Sequence, residues 1–82
     1  MARGHALITG GSSGIGLAIA EIAAKAGHRV TLIARGEARL GEAAEALRGG
    51  HGADVQTFSA DLGNRADAER AVGEAIGQFG AP

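Results

Sequence analysis

The chain has 82 residues, 45% of them hydrophobic and only 2% aromatic, with a formal net charge of −1 at pH 7. That length allows one small domain at most, and the apolar content sets the chain apart from disordered sequences. Near-neutral charge gives no electrostatic reason to expect nucleic acid or an anionic membrane as partner, and zero cysteines exclude disulfides, thiolate metal sites and thiol catalysis.

Residues 5 to 9 predict a first strand, and the unbroken run Ala6-Leu7-Ile8 predicts burial on both of its faces. The run is too short for a signal peptide or a membrane span, so a soluble, cytoplasmic chain is the expectation. A glycine turn follows at once, Thr9-Gly10-Gly11-Ser12-Ser13-Gly14-Ile15-Gly16, and leads into a helix over residues 14 to 26. Gly27 ends that helix, with Lys25 in its last turn where a cation suits the dipole. Residues 29 to 34 are β-branched and apolar and predict a second strand. From Glu37 to Arg48, Leu40, Ala43, Ala44 and Leu47 share one helical face, with Gly49-Gly50 as the expected stop and His51-Gly52 as loop. Asp54 to Ser59 predicts a third strand. Asn64 predicts the cap of a third helix, with Asp67 as a weaker form of the capping box. The apolar stripe of this helix is Ala68, Val72, Ala75, Ile76 and Phe79, up to Gly80.

The order β-α-β-α-β-α predicts an α/β fold on a parallel sheet. Right-handed crossovers place the first two helices on one face and the third on the other. The expected class is the N-terminal half of a doubly wound parallel α/β fold, truncated before the fourth strand, with residues 1–82 forming one partial domain. The first strand then keeps an open edge and an incompletely covered face, which predicts that the isolated chain is poorly stable or self-associates. A compact monomer in sedimentation would contradict this.

Strand, glycine turn and helix in succession predict a nucleotide site, because glycines let backbone approach a pyrophosphate and the amides opening a helix meet its charge. A Walker loop is excluded, since Gly16 is followed by Leu17 and Ala18 and not by Lys and Ser or Thr. The spacing T-G-x-x-x-G-x-G resembles the coenzyme turn of the short-chain dehydrogenase/reductases. Residues 4 to 16 with Val30-Thr31-Leu32-Ile33-Ala34-Arg35 look most like the ketosphinganine (3-ketodihydrosphingosine) reductase branch of that family. The resemblance implies a Rossmann fold, with residues 1–82 as part of its NAD(P)-binding domain, a nicotinamide coenzyme, and reduction of a ketone or oxidation of an alcohol. It also implies that Gly10, Ser12, Ser13, Gly14, Ile15 and Gly16 form the coenzyme turn. Asp61 and Leu62 match the family's pair beside the adenine ring, although an Asp after a strand also serves turns and caps.

Coenzyme choice turns on the residue at the second strand's end. An NAD enzyme places a carboxylate there to bind the ribose hydroxyls. This chain has Ala34 and then Arg35, a guanidinium suited to a 2′-phosphate, with Arg39 as a second positive charge. NADP(H) is favoured over NAD(H), with solvated arginines as the alternative. The family's catalytic Ser, Tyr and Lys are not matched: the 82 residues contain no tyrosine, and Lys25 belongs to the first helix. Catalysis by these residues alone is therefore not expected. Metal sites are not expected either, because His5, His28 and His51 are scattered. The partners implied are NADPH and, in a full-length protein, a small carbonyl substrate, with homo-oligomerisation left open. A non-catalytic dinucleotide-binding module is the alternative reading.

Overall fold

The computed structural model describes residues 4–10, 14–52 and 54–80. The elements are β1 (His5–Thr9), α1 (Gly14–Lys25), β2 (Arg29–Ala34), α2 (Glu37–His51), β3 (Val55–Ser59) and α3 (Arg65–Phe79). The strands form a parallel sheet in the order β1-β2-β3. Ala6 pairs with Val30 and Val30 with Val55; Ile8 pairs with Leu32 and Leu32 with Thr57.

In this register alternate residues divide between two cores. Ile8, Val30, Leu32, Ala34 and Val55 meet the small faces of α1 (Ala20, Ala23, Ala24) and the apolar face of α2. Ile33, Leu7 and Phe58 point the other way and pack with Ala60, Ala71 and Val72 beneath α3. The helices therefore lie two on one face and one on the other, as the crossover rule requires. The predicted stripe of α2 is buried throughout, and Leu40 and Leu47 are among the largest fully buried side chains. Burial of each such leucine stabilises the fold by about 2 kcal/mol.

Several expectations are corrected. β1 is not buried on both faces: Ala6 and Leu7 are only half-buried, whereas every residue of β2 after Arg29 is buried. The reason is position, since β1 is at the sheet's edge and β2 at its centre. α2 does not stop at Gly49-Gly50 but runs through them to His51. It ends at Gly52, whose φ of 62° is left-handed and whose N–H returns to Arg48 O at 2.9 Å. Helix-interior glycine costs about 1 kcal/mol relative to alanine. Here the last turn is also tied down by Arg48, which donates through Nη2 to Val55 O at 2.6 Å.

α1 ends at Lys25, one residue early, in a closing turn: His28 N donates to Ala23 O and Gly27 N to Ala24 O, with Gly27 at φ 88°. β3 starts at Val55, one residue late, although Asp54 O still accepts from Val30 N at 2.9 Å. In α3 the sheet-facing residues are Ala71 and Ala75, and Ile76 is exposed despite its place in the predicted stripe. Helix α1 likewise exposes Ile15, Ile19 and Ile22 along one side.

The end of the sheet where the strands begin is closed by polar side chains. His5 and Thr31 are buried. His5 Nδ1 lies 2.8 Å from Gly80 O, a carbonyl that only accepts, so Nδ1 carries the proton. His5 Nε2 lies 2.6 Å from Thr31 Oγ1, which itself accepts from Gln56 Nε2 at 2.7 Å. Gln56 Nε2 also reaches Ala75 O at 3.2 Å, and the His5 ring meets Phe79 edge to face at 5.4 Å between centroids. One residue from each strand thus ties the C-terminal turn of α3 to the sheet. Among the described residues no buried side-chain polar atom is left without a partner.

Candidate functional site

Because the strands are parallel, the loops that follow β1, β2 and β3 emerge at the same end of the sheet, the usual place for a ligand in open α/β folds. Hydrogen bonds carry the ladders one rung past the strands: Gly10 N donates to Ile33 O at 2.7 Å and Ala60 N to Ala34 O at 3.0 Å. Gly10, Arg35 and Asp61 therefore leave the sheet side by side.

In the glycine turn, Gly10 has φ 68° and Gly14 φ 59°, left-handed conformations that side chains rarely adopt. A Cβ on either would meet no atom of the other described residues within 4 Å, chain neighbours and the helix's own backbone aside, so among those residues both positions face open space. The amide of Gly10 is already engaged by Ile33, so its contribution is the bend itself. Gly14 opens α1, followed by Ile15, 80% exposed, and Gly16, half-buried. Ser12 and Ser13 lie outside the described residues.

Arg35 and Arg39 are both exposed, Arg35 directly after β2 and Arg39 in the first turn of α2. Arg35 Nη2 lies 3.9 Å from Asp61 Oδ2. The backbone beneath Arg35 is held by Ser59, whose Oγ donates to Arg35 O at 2.9 Å.

The turn bearing Asp61 and Leu62 is more tightly built. Asp61 Oδ1 accepts from Gly63 N at 2.9 Å and Asp61 O from Asn64 N at 2.9 Å. A Cβ on Gly63 would come within 3.2 Å of Asp61 Oδ1, a tight approach to the end of that side chain. Asn64 caps α3 as expected, its Oδ1 accepting from Asp67 N at 3.1 Å. The reciprocal half of the capping box is not made. Asp67 Oδ2 instead accepts from Asp61 N at 2.7 Å, and its Oδ1 accepts from Arg70 Nε and Nη2 at 3.1 and 2.9 Å. The shorter Asp side chain falls to the turn and not back to the cap's own amide. Arg70 Nη2 also reaches Ser59 O at 3.3 Å. The Asp61 amide, and after it the Arg70 guanidinium, hold the Asp67 carboxyl below its ordinary value of 3.8.

Sequence reasoning thus missed Ser59, Asp67 and Arg70, which hold the loops that bear Arg35 and Asp61. The signal available was Asp67 in the first turn of a helix, which was assigned to capping alone. Among the described residues no group of His, Asp and Glu is placed to hold a metal ion, and no helix is long and apolar enough to cross a membrane.

A bend with left-handed glycines, the start of a helix and two charged residues that follow strands stand together at one end of the sheet. The family model described as short chain dehydrogenase matches residues 4–81. The chain belongs to the short-chain dehydrogenase family. Among its relatives, the chain is 47% identical over 70 residues to a 3-dehydrosphinganine reductase of Arabidopsis thaliana, covering 85% of the chain and 22% of that protein. The L-sorbose reductase of Gluconobacter frateurii, solved with NADPH and L-sorbose, superposes with a TM-score of 0.91 at 40% identity, covering 99% of this chain and 31% of that one. An alcohol dehydrogenase of Thermococcus sibiricus, solved with 5-hydroxy-NADP, also gives 0.91, at 33% identity over 96% of this chain and 34% of that one. The chain spans about a fifth of the plant relative and about a third of each solved protein. Its three strands and three helices match the N-terminal part of their Rossmann fold.

Proposed function

We propose that this chain is the coenzyme-binding segment of an NADP(H)-dependent oxidoreductase that reduces a ketone to an alcohol. In this reading the turn from Gly10 to Gly16, Ser12 and Ser13 included, receives the pyrophosphate and neighbouring ribose, with the α1 amides facing its charge. Arg35, with Arg39 beside it, binds the 2′-phosphate; Asp61 and Leu62 border the adenine. The nicotinamide coenzyme supplies the hydride, and the residues of this chain bind and orient it.

The single observation that carries the choice of NADP(H) is Arg35, which leaves β2 beside the glycine bend where an NAD enzyme would set a carboxylate. The NADPH and 5-hydroxy-NADP held by the two solved relatives support it. The likeness to the plant reductase supports a 3-ketosphinganine-like ketone as substrate. With no tyrosine and Lys25 as the sole lysine, the 82 residues by themselves are read as binding coenzyme without catalysing proton transfer.

The test is titration of NADPH and NADH into the polypeptide that carries this chain. Arg35→Ala is expected to erode the NADPH preference by about ten- to a hundredfold, the worth of a charge-assisted hydrogen bond. Equal affinity of the parent protein for the two coenzymes would overturn the reading.

A further inference from the structure

We propose that Asp61 is an internal counter-ion of Arg35 and weakens the hold of that guanidinium on a 2′-phosphate, so that it sets the degree of coenzyme preference. The proposal rests on the reading of Arg35 as the phosphate-binding residue.

Arg35 and Asp61 follow neighbouring strands, and Arg35 Nη2 lies 3.9 Å from Asp61 Oδ2. Both side chains are exposed, so as a source of stability the pair is worth little. Their stems are another matter. Ser59 Oγ holds Arg35 O at 2.9 Å, Ala60 N bonds Ala34 O at 3.0 Å, and Asp67 Oδ2 holds Asp61 N at 2.7 Å. One Asp61 oxygen is itself engaged, Oδ1 accepting from Gly63 N at 2.9 Å, which leaves Oδ2 toward the guanidinium. Fixed stems set the carboxylate and the guanidinium on neighbouring loops, within reach of one another.

A 2′-phosphate arriving at Arg35 then competes with one negative group for the same donors. A coenzyme with a free 2′-hydroxyl makes no such demand on the guanidinium. Asp61 therefore acts on NADPH and not on NADH, over and above any contact with adenine, which the two coenzymes share.

Asp61→Asn removes the charge and keeps an oxygen for Gly63 N; Asp61→Ser does the same with a hydroxyl and provides a second variant should the amide disturb the turn. On the polypeptide carrying this chain, each is expected to raise the ratio of NADPH to NADH affinity by about threefold at low ionic strength, with the gain shrinking as salt is added. Any loss of adenine contact cancels in the ratio. In an Arg35→Ala background the same substitutions are expected to leave the ratio unchanged. A ratio that stays level or falls in both Asp61 variants, while Arg35→Ala still erodes the preference, overturns the counter-ion role and leaves the coenzyme reading standing. A gain that persists without Arg35 means that Asp61 acts on the phosphate directly, which also overturns it. If Arg35→Ala does not change the ratio at all, the coenzyme reading falls and the proposal with it.

Discussion

The two ends of the sheet carry polar residues in similar number and use them in opposite ways. Where the strands begin, His5, Thr31 and Gln56 are linked to one another and to the carbonyls of Ala75 and Gly80, with His5 and Thr31 out of solvent. Where the strands finish, Arg35, Arg39 and Asp61 stand in solvent, next to glycines whose open conformation leaves room in front of them. Buried hydrogen bonds are strong and costly to leave unmade, so the first end suits cohesion. Exposed charges on fixed backbone contribute little to stability and remain free for a ligand. The difference teaches that in this fold the sheet's two ends can be altered separately.

That separation is open to direct attack. The largest effect is expected from Thr31→Val, which leaves the Gln56 amide and His5 Nε2 short of a partner. It should cost about 2 kcal/mol in urea unfolding while the NADPH to NADH ratio stays as it was; a changed ratio would mean that the ends communicate. At the other end Gly14→Ala puts a side chain at a φ of 59°. About 1 kcal/mol of stability should be lost, with a larger loss of coenzyme affinity, since the added carbon fills the space before the turn. Asn64→Ala removes the α3 cap and should cost about 1 kcal/mol, read in the same unfolding series.

The smallest effect is a pH dependence. Asp67 has its carboxyl held below 3.8 by the Asp61 amide and Arg70, so its folded value lies under its unfolded one. The stabilisation it brings is fully present above 3.8 and is lost as the pH falls through the lower folded value. Exchange of the Asp61 amide should therefore quicken as acid is added, beyond the intrinsic change, and Asp67→Asn should remove that dependence. An Asp61 amide equally protected on both sides of this window would show that Asp67 does not hold the turn.

Element order, the two-and-one placement of helices and the α2 face were legible because periodicity and crossover handedness act locally and without exception here. Leu40, Ala43, Ala44 and Leu47 repeat at helical spacing, and nothing in the tertiary structure overrides them. The end of α2 was not legible. Gly49-Gly50 and Gly52 offer the same residue type, and the helix stops where the chain turns left-handed, which spacing does not reveal. The half-burial of Ala6 and Leu7 follows from the open edge that the element order predicts, whereas the apolar run taken by itself points to burial on both faces.

At the candidate site, Gly10, Gly14, Arg35 and Asp61 were visible as residues that follow strands or open a helix. Asp67 and Ser59 were not. Their roles depend on which backbone group a short side chain reaches, and Asp67 bonds an amide six residues earlier. His5 was set aside as isolated, yet its partners come from β2 and from beyond α3, a grouping that only the folded register creates.

The bond between His5 and Gly80 joins positions separated by 75 along the chain. It makes the three β-α units a closed circuit, in which the first strand is the anchor point for the last helix. A circularly permuted version, with new ends cut in an exposed connection and a short bridge spanning residues 4 and 80, should therefore keep the same packing.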